Sequence, residues 1–167
     1  MRVLKWIAIT LGVLVLVVVV GGITLIGVLG GDTKVSLGKE LRSSYREHVV
    51  KMAKLPAEET IEMFYSSDLL MPDTDGNLLT NVAVYSWGDH LDDGQITLKR
   101  ATFAEITDVD FIPGESWLDD SLITITTQDD EFFLFLPIEA KRDRMFLEKV
   151  RARMPKPTAL ETPQHEN

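Results

Sequence analysis

Cysteine is absent from all 167 residues, which excludes disulfides, thiolate metal sites and thiol nucleophiles. Histidine is scarce: His48, His90 and His165 stand far apart, none with a second histidine or a carboxylate at metal-ligand spacing. No serine sits in a G-x-S-x-G elbow, and the glycines form neither a dinucleotide fingerprint nor a phosphate loop. Carboxylates are so numerous that pairs arise by chance, so they do not by themselves indicate glycoside chemistry. With each of these motif classes missing, no catalytic, cofactor-binding or metal-ligating residue is assigned, and the chain is expected not to be an enzyme.

Charge is missing altogether between Lys5 and Asp32, and the run from Trp6 through Val20 is dominated by Ile, Leu and Val. Such a stretch exceeds the roughly 18 apolar residues that mark a membrane span and is long enough to cross with some tilt. A cleaved signal peptide, with Arg2 and Lys5 as its basic start, competes with this reading. Its apolar core would be only about 7 to 15 residues long, however, so an uncleaved single-pass anchor over residues 1–31 is expected. Gly27 and Gly31 could let two spans approach closely, but at the edge of the run they read better as a helix end and hinge.

Basic residues are the minority, 17 against 26 acidic, which speaks against nucleic acid as a partner. The imbalance is concentrated in the middle. Residues 55–137 hold two basic and eighteen acidic side chains, while residues 32–54 hold six and three, and residues 138–167 seven and five. The helix expected after the anchor therefore carries Lys39, Arg42, Arg46, Lys51 and Lys54 toward anionic headgroups, and the acidic middle should stand further out.

Periodicity divides the remainder. Leu37, Leu41, Tyr45, His48, Val49 and Met52 recur at steps of three and four, predicting a helix capped by Ser36. Pro56, followed by Glu58 and Glu59, suggests a second helix ending near Ser66. Together they make a juxtamembrane helical segment over residues 32–61. From Asp68 the period falls to two, at Val82 to Trp87, Ile96 to Leu98, Ile123 to Thr126 and Phe132 to Leu136. Turn clusters at Pro72 to Asn77, Gly88 to Gly94, Pro113 to Ser116 and Gln128 to Asp130 separate these strands. After Pro137 a helix is expected with Ala140, Phe146, Leu147, Val150 and Met154 on its apolar side. The proline-rich segment 155–167 reads as a disordered tail. The fold class is thus α+β: one transmembrane helix, juxtamembrane helices, then an antiparallel β-barrel or sandwich closed by a C-terminal amphipathic helix.

Several stretches carry a resemblance. Phe64-Tyr65-Ser66-Ser67, Asp75-Gly76-Asn77-Leu78-Leu79-Thr80, Val84-Tyr85-Ser86-Trp87, Phe103-Ala104-Glu105-Ile106, and Ile123-Thr124-Ile125 resemble bacterial PH-like (pleckstrin-homology-like) domains. The Ile106 to Val109 element resembles one of that group's short strands. The likeness spans about residues 62–154 and implies a scaffold of strands closed by a final helix, with no activity carried over. PH domains that hold phosphoinositides need basic residues in the loop after the first strand, and here that loop, Met71 to Asn77, is acidic. No specific phosphoinositide site is expected.

Asp73, Asp75 and Asn77 have the alternating spacing that opens a calcium loop, but the position of its closing glutamate holds Val84. They read as a turn, as do the pairs Asp92 with Asp93, Asp119 with Asp120 and Asp129 with Asp130. The expected partners are the bilayer, through the anchor, and a protein whose charge should be basic to complement the acidic middle; a homo-oligomer is the alternative. For topology, five basic residues soon after the span favour a cytoplasmic domain. The short basic N-terminus is instead a signal-anchor arrangement, which exports the domain beyond the span. The second is given slightly the greater weight, placing the domain outside a bacterial plasma membrane.

Overall fold

A computed structural model describes residues 12–17, 34–67, 74–88, 96–116 and 119–155. Residues 12–17 are helical, and Val13 to Val17 are 55–62% exposed. Among the described residues no helix is long and apolar enough to cross a membrane. Most of the expected anchor, Gly27 and Gly31 included, and nearly all of the expected tail lie outside them.

The described chain folds as two antiparallel sheets with helices outside them. The first sheet has the order β1 (Ser36–Leu37), β2 (Ile61–Tyr65), β3 (Asp75–Thr80), β4 (Ala83–Gly88) and β5 (Thr97–Thr102). The second is β6 (Asp108–Ile112), β7 (Asp120–Thr126) and β8 (Glu131–Pro137). Helix α1 (Ser43–Met52) lies between β1 and β2, and α2 (Arg142–Arg153) follows β8.

Alternation along the strands sorts the side chains onto faces. Met63, Leu79, Val84 and Ala101 are register partners in a row across β2 to β5, and all are buried in one core. Ile123, Ile125, Phe132, Leu134 and Leu136 enter the same core from the second sheet, and α2 adds Phe146, Leu147 and Val150. On the far face of the first sheet a second core holds Phe64, Leu78, Tyr85 and Trp87 beneath Val49 and Ala53. Tyr45 of α1 meets Phe64 edge-on at 5.8 Å, and Phe64 stacks on Trp87 at 5.7 Å. Gly76 makes room for that indole, since a Cβ there would lie 2.1 Å from the Trp87 ring. The layers therefore run α1, first sheet, common core, second sheet.

The sheets do not close into a barrel; they join through side chains. The row Asn77, Ser86 and Lys99 crosses β3, β4 and β5 on the core side. Asn77 Nδ2 donates to Phe135 O at 3.0 Å, Ser86 Oγ to Phe133 O at 2.9 Å, and Lys99 Nζ reaches Asp130 at 2.9 Å. Descending order along one chain matched to successive strands of the other sheet means that β8 crosses β3 to β5 rather than running beside them. Among the described residues no strand of one sheet pairs with a strand of the other.

Four further expectations need correction. The second juxtamembrane helix is a strand: Pro56 starts a turn, and Ile61–Tyr65 pairs with both β1 and β3. Ser36 is a strand residue instead of a cap, and α1 begins at Ser43 after a 3₁₀ turn over Gly38–Glu40. Asp75 and Asn77 open β3 rather than forming a turn. Ala140, expected on the apolar side of the closing helix, is exposed and precedes it: Ala140 and Lys141 hold positive φ of 55° and 56°, and the α-helix starts at Arg142.

Candidate functional site

Buried polar side chains are the first place to look for chemistry, because burial without a partner is costly. Glu59, just before β2, has an almost fully buried side chain. Its carboxylate accepts from Thr80 Oγ1 at 2.7 Å, Tyr85 OH at 2.9 Å and Arg100 Nη2 at 2.9 Å. Burial works to raise this carboxyl, and the hydrogen bonds from Arg100, Thr80 and Tyr85 outweigh it, holding Glu59 below its ordinary range. Arg100 also donates from Nε to Tyr85 OH, which closes a ring of contacts among Glu59, Tyr85 and Arg100.

The other networks are likewise ties between elements. Glu62 on β2 accepts from Lys149 at 2.8 Å and Arg153 at 2.6 Å, joining the first sheet to α2. Arg142 at the start of α2 reaches Val35 O and pairs with Glu40 at 2.7 Å, clasping the N-terminal segment. Arg151 Nη2 donates to Val109 O at 2.9 Å on the outer edge of β6. Buried Asp143 accepts from Ser121 Oγ at 2.7 Å through Oδ2, while its Oδ1 meets no donor. As the second residue of α2, it has its charge at the positive end of the helix.

The acidic residues singled out by sequence go different ways. Asp75 accepts from Ser66 Oγ at 2.6 Å and from the amide and hydroxyl of Ser67. Asn77 is a sheet-joining strut, and Asp130 pairs with Lys99. Asp119 and Asp120 stand at the start of β7, near Asp75 and Tyr65. Burial first, then Asp75 and Asp119, raises the Asp120 carboxyl; burial, with Asp120 and Asp75, pushes the Tyr65 hydroxyl up to about 12. Asp73, Asp92, Asp93, His90 and His165 lie outside the described residues. His48 sits half-buried on α1. Among the described residues no group of three or more His, Asp or Glu side chains is placed to hold a metal ion.

The far side of the second sheet carries exposed apolar side chains. The far face of the second sheet turns Ile112, Leu122 and Phe135 outward in one register row, with Asp110, Thr124 and Phe133 in the next. Ile112 is 62% exposed, Phe133 36% and Phe135 39%. No described helix covers this face, whereas α1 covers the corresponding face of the first sheet. In the sequence Phe133 and Phe135 alternate with Phe132, Leu134 and Leu136, and nothing else singles them out. The available signal was an apolar run on both faces of one strand.

No family model matches the chain, and no curated protein does. Among solved structures it is similar to the crystal structure, at 2.00 Å resolution, of a DUF1696 family protein with a pleckstrin-homology domain from Shewanella loihica PV-4. The identity is 13%, the TM-score 0.46, and the match covers 75% of this chain and 98% of that one.

Proposed function

We propose that this chain is a non-catalytic binding module on a PH-like scaffold, anchored in a bacterial membrane by its N-terminal apolar segment and recognising a protein partner. One observation carries the binding role: the buried carboxylate of Glu59 is taken up by ties within the fold, while Ile112 and Phe133 on the second sheet stand exposed. The order of elements supports the scaffold, an antiparallel meander divided over two sheets and closed by a terminal helix. The exposed apolar helix at residues 12–17 and the uncharged run around it support the anchor.

The reading predicts that the full chain resists alkaline extraction from membranes and co-purifies after mild crosslinking as a monomer with a second protein. A ladder of its own multimers without a second protein would make it a self-associating structural element instead. Release of the intact chain by alkali would remove the anchor. A reporter fused after Asn167 and active on only one side of the membrane determines which way the domain faces.

A further inference from the structure

Four strands stand at sheet edges, β1 and β5 in the first sheet and β6 and β8 in the second. Along three of them side chains hold backbone groups that face away from the sheet. Arg142 reaches Val35 O and Glu40 accepts the N–H of Leu37 at β1, Arg151 holds Val109 O on β6, and Ser86 and Asn77 hold Phe133 O and Phe135 O on β8. Strand β5 is tied in this way only at its end, where Glu105 accepts the N–H of Thr102 at 2.7 Å. Because the N–H of Phe103 bonds to Val82 O, the odd-numbered residues of β5 face β4, and Leu98 and Arg100 turn their N–H and C=O groups outward. Among the described residues no strand lies beside them. Lys99 and Arg100 are also the two basic residues of the acidic stretch 55–137. Asp130 draws Lys99 over one face of the sheet, and Tyr85 and Glu59 hold Arg100 through Nε and Nη2 over the other, so neither side chain guards the edge. Nη1 of Arg100 meets no acceptor among the described residues.

Resting on the binding-module reading for the existence of a protein partner, we infer that the outer edge of β5 takes an extended segment of that partner as an added strand, with an apolar side chain beside Leu98 and exposed Ile96 and a carboxylate beside Arg100. The outward groups of Leu98 and Arg100 supply its ladder, about 4.8 Å from β5, and Glu105 sets where that ladder stops. Alternation places Ile96, Leu98 and Arg100 on the α1 side of the sheet, Leu98 against the second core, so the partner side chains opposite them fall on one face at a spacing of two. A helix fits less well, because it satisfies its own backbone groups and leaves those of β5 unpaired. A second copy of β5 also fits less well. Two-fold antiparallel pairing about Arg100 opposes two guanidinium groups, and pairing about Lys99 opposes two ammonium groups and faces Arg100 with Leu98. Pairing about Leu98 faces Arg100 with Ile96, so none of these registers brings Arg100 a carboxylate.

Site-specific photocrosslinking of the full chain in its native membrane tests this. The photoreactive residue p-benzoylphenylalanine replaces Ile96 in one variant and, as a control, exposed Val50 on α1 in another. The expected product from position 96 is a crosslink to one other protein, mapped by mass spectrometry to a segment of alternating apolar residues that includes an Asp or Glu. In the same background Leu98→Pro removes an outward N–H and should cut the yield at least tenfold relative to Leu98→Ala, which gives up the same side-chain packing but keeps that group. Cooperative thermal unfolding confirms that both variants fold. Should Leu98→Pro not fold, the parent chain decides: hydrogen exchange at the amides of Leu98 and Arg100 should slow at least tenfold with the partner bound, and an equal rate overturns the inference. Crosslinks to a second copy of the chain, to lipid or to a segment without an acidic residue would overturn it too, as would equal yields from the two Leu98 variants or a yield no higher than at position 50. If a partner co-purifies while the position-96 crosslink is absent, the β5 edge fails and the binding-module reading survives. If no partner co-purifies with the unmodified chain, that reading fails first.

Discussion

Glu59 has three donors on one carboxylate, so its replacement tests how much a single buried acid fixes. Glu59→Gln keeps the volume but leaves Arg100, Tyr85 and Thr80 competing for a weaker acceptor, and a loss of about 1–3 kcal/mol is expected in denaturant unfolding at pH 7. The effect is pH-dependent with a definite sign. A carboxyl lowered in the folded state stabilises fully above its unfolded value, near 4.3, and that stability is lost as pH falls through the folded value. Glu62 is lowered as well: burial opposes the shift, and Lys149 and Arg153 outweigh it. Asp120 acts oppositely, since its raised carboxyl costs stability at neutral pH and that cost disappears on acidification. The gap between the parent protein and Glu59→Gln should therefore narrow below about pH 4; an equal gap at pH 7 and pH 3 would deny Glu59 its charged role. Gly76→Ala tests space instead of charge. Its methyl group would collide with the Trp87 ring, and a cost of about 1–3 kcal/mol from overpacking is expected in the same assay.

Among the elements, α2 closes the common core with Phe146, fully buried among strands of both sheets. Phe146→Ala should cost about 3–5 kcal/mol, and a loss under about 1 kcal/mol would remove α2 from the core. The apolar stripe of this helix was readable because only one of its sides is covered. Strands β7 and β8 and the turn at Gln128 to Asp130 were readable for a related reason: their inward sets are apolar and separated by clear breakers. Strand β2 was misread as a helix because α1 covers its far face, so Met63 and Phe64 are both buried on opposite sides and the alternation that marks a strand is erased. The same ambiguity hid the apolar outer side of the second sheet. Phe132 to Leu136 is apolar on both sides, like a strand covered twice, and whether anything covers the second side depends on a helix distant in sequence. Barrel closure was equally invisible, because pairing between β8 and the first sheet would join segments far apart in the chain and leaves no local pattern.

At the scale of the molecule the layers separate charge. Lys39, Arg42, Lys51 and Lys54 are exposed on or beside α1, while the opposite outer face, on the second sheet, bears carboxylates and no base. A fragment of residues 32–167 is expected to unfold cooperatively and to float weakly with anionic vesicles at low salt. Lys51→Glu with Lys54→Glu should abolish the flotation, each basic residue near such a surface contributing up to about 1 kcal/mol. Flotation unchanged by these substitutions would place another surface against the lipid.

The clasp at the N-terminal edge sets the reach of the whole assembly. Val35 is completely buried, its carbonyl is held by Arg142, and β1 begins at the next residue. For a span ending near residue 31, only residues 32–34 are left as a leash. At no more than about 3.6 Å per residue, that leash extends roughly 10 Å. The domain then cannot sweep through the surrounding solvent as a head on a flexible stalk would. On the proposed anchoring it would keep to a thin layer against the bilayer, and a partner would have to come to it there, by lateral diffusion in the same membrane or by delivery to its surface.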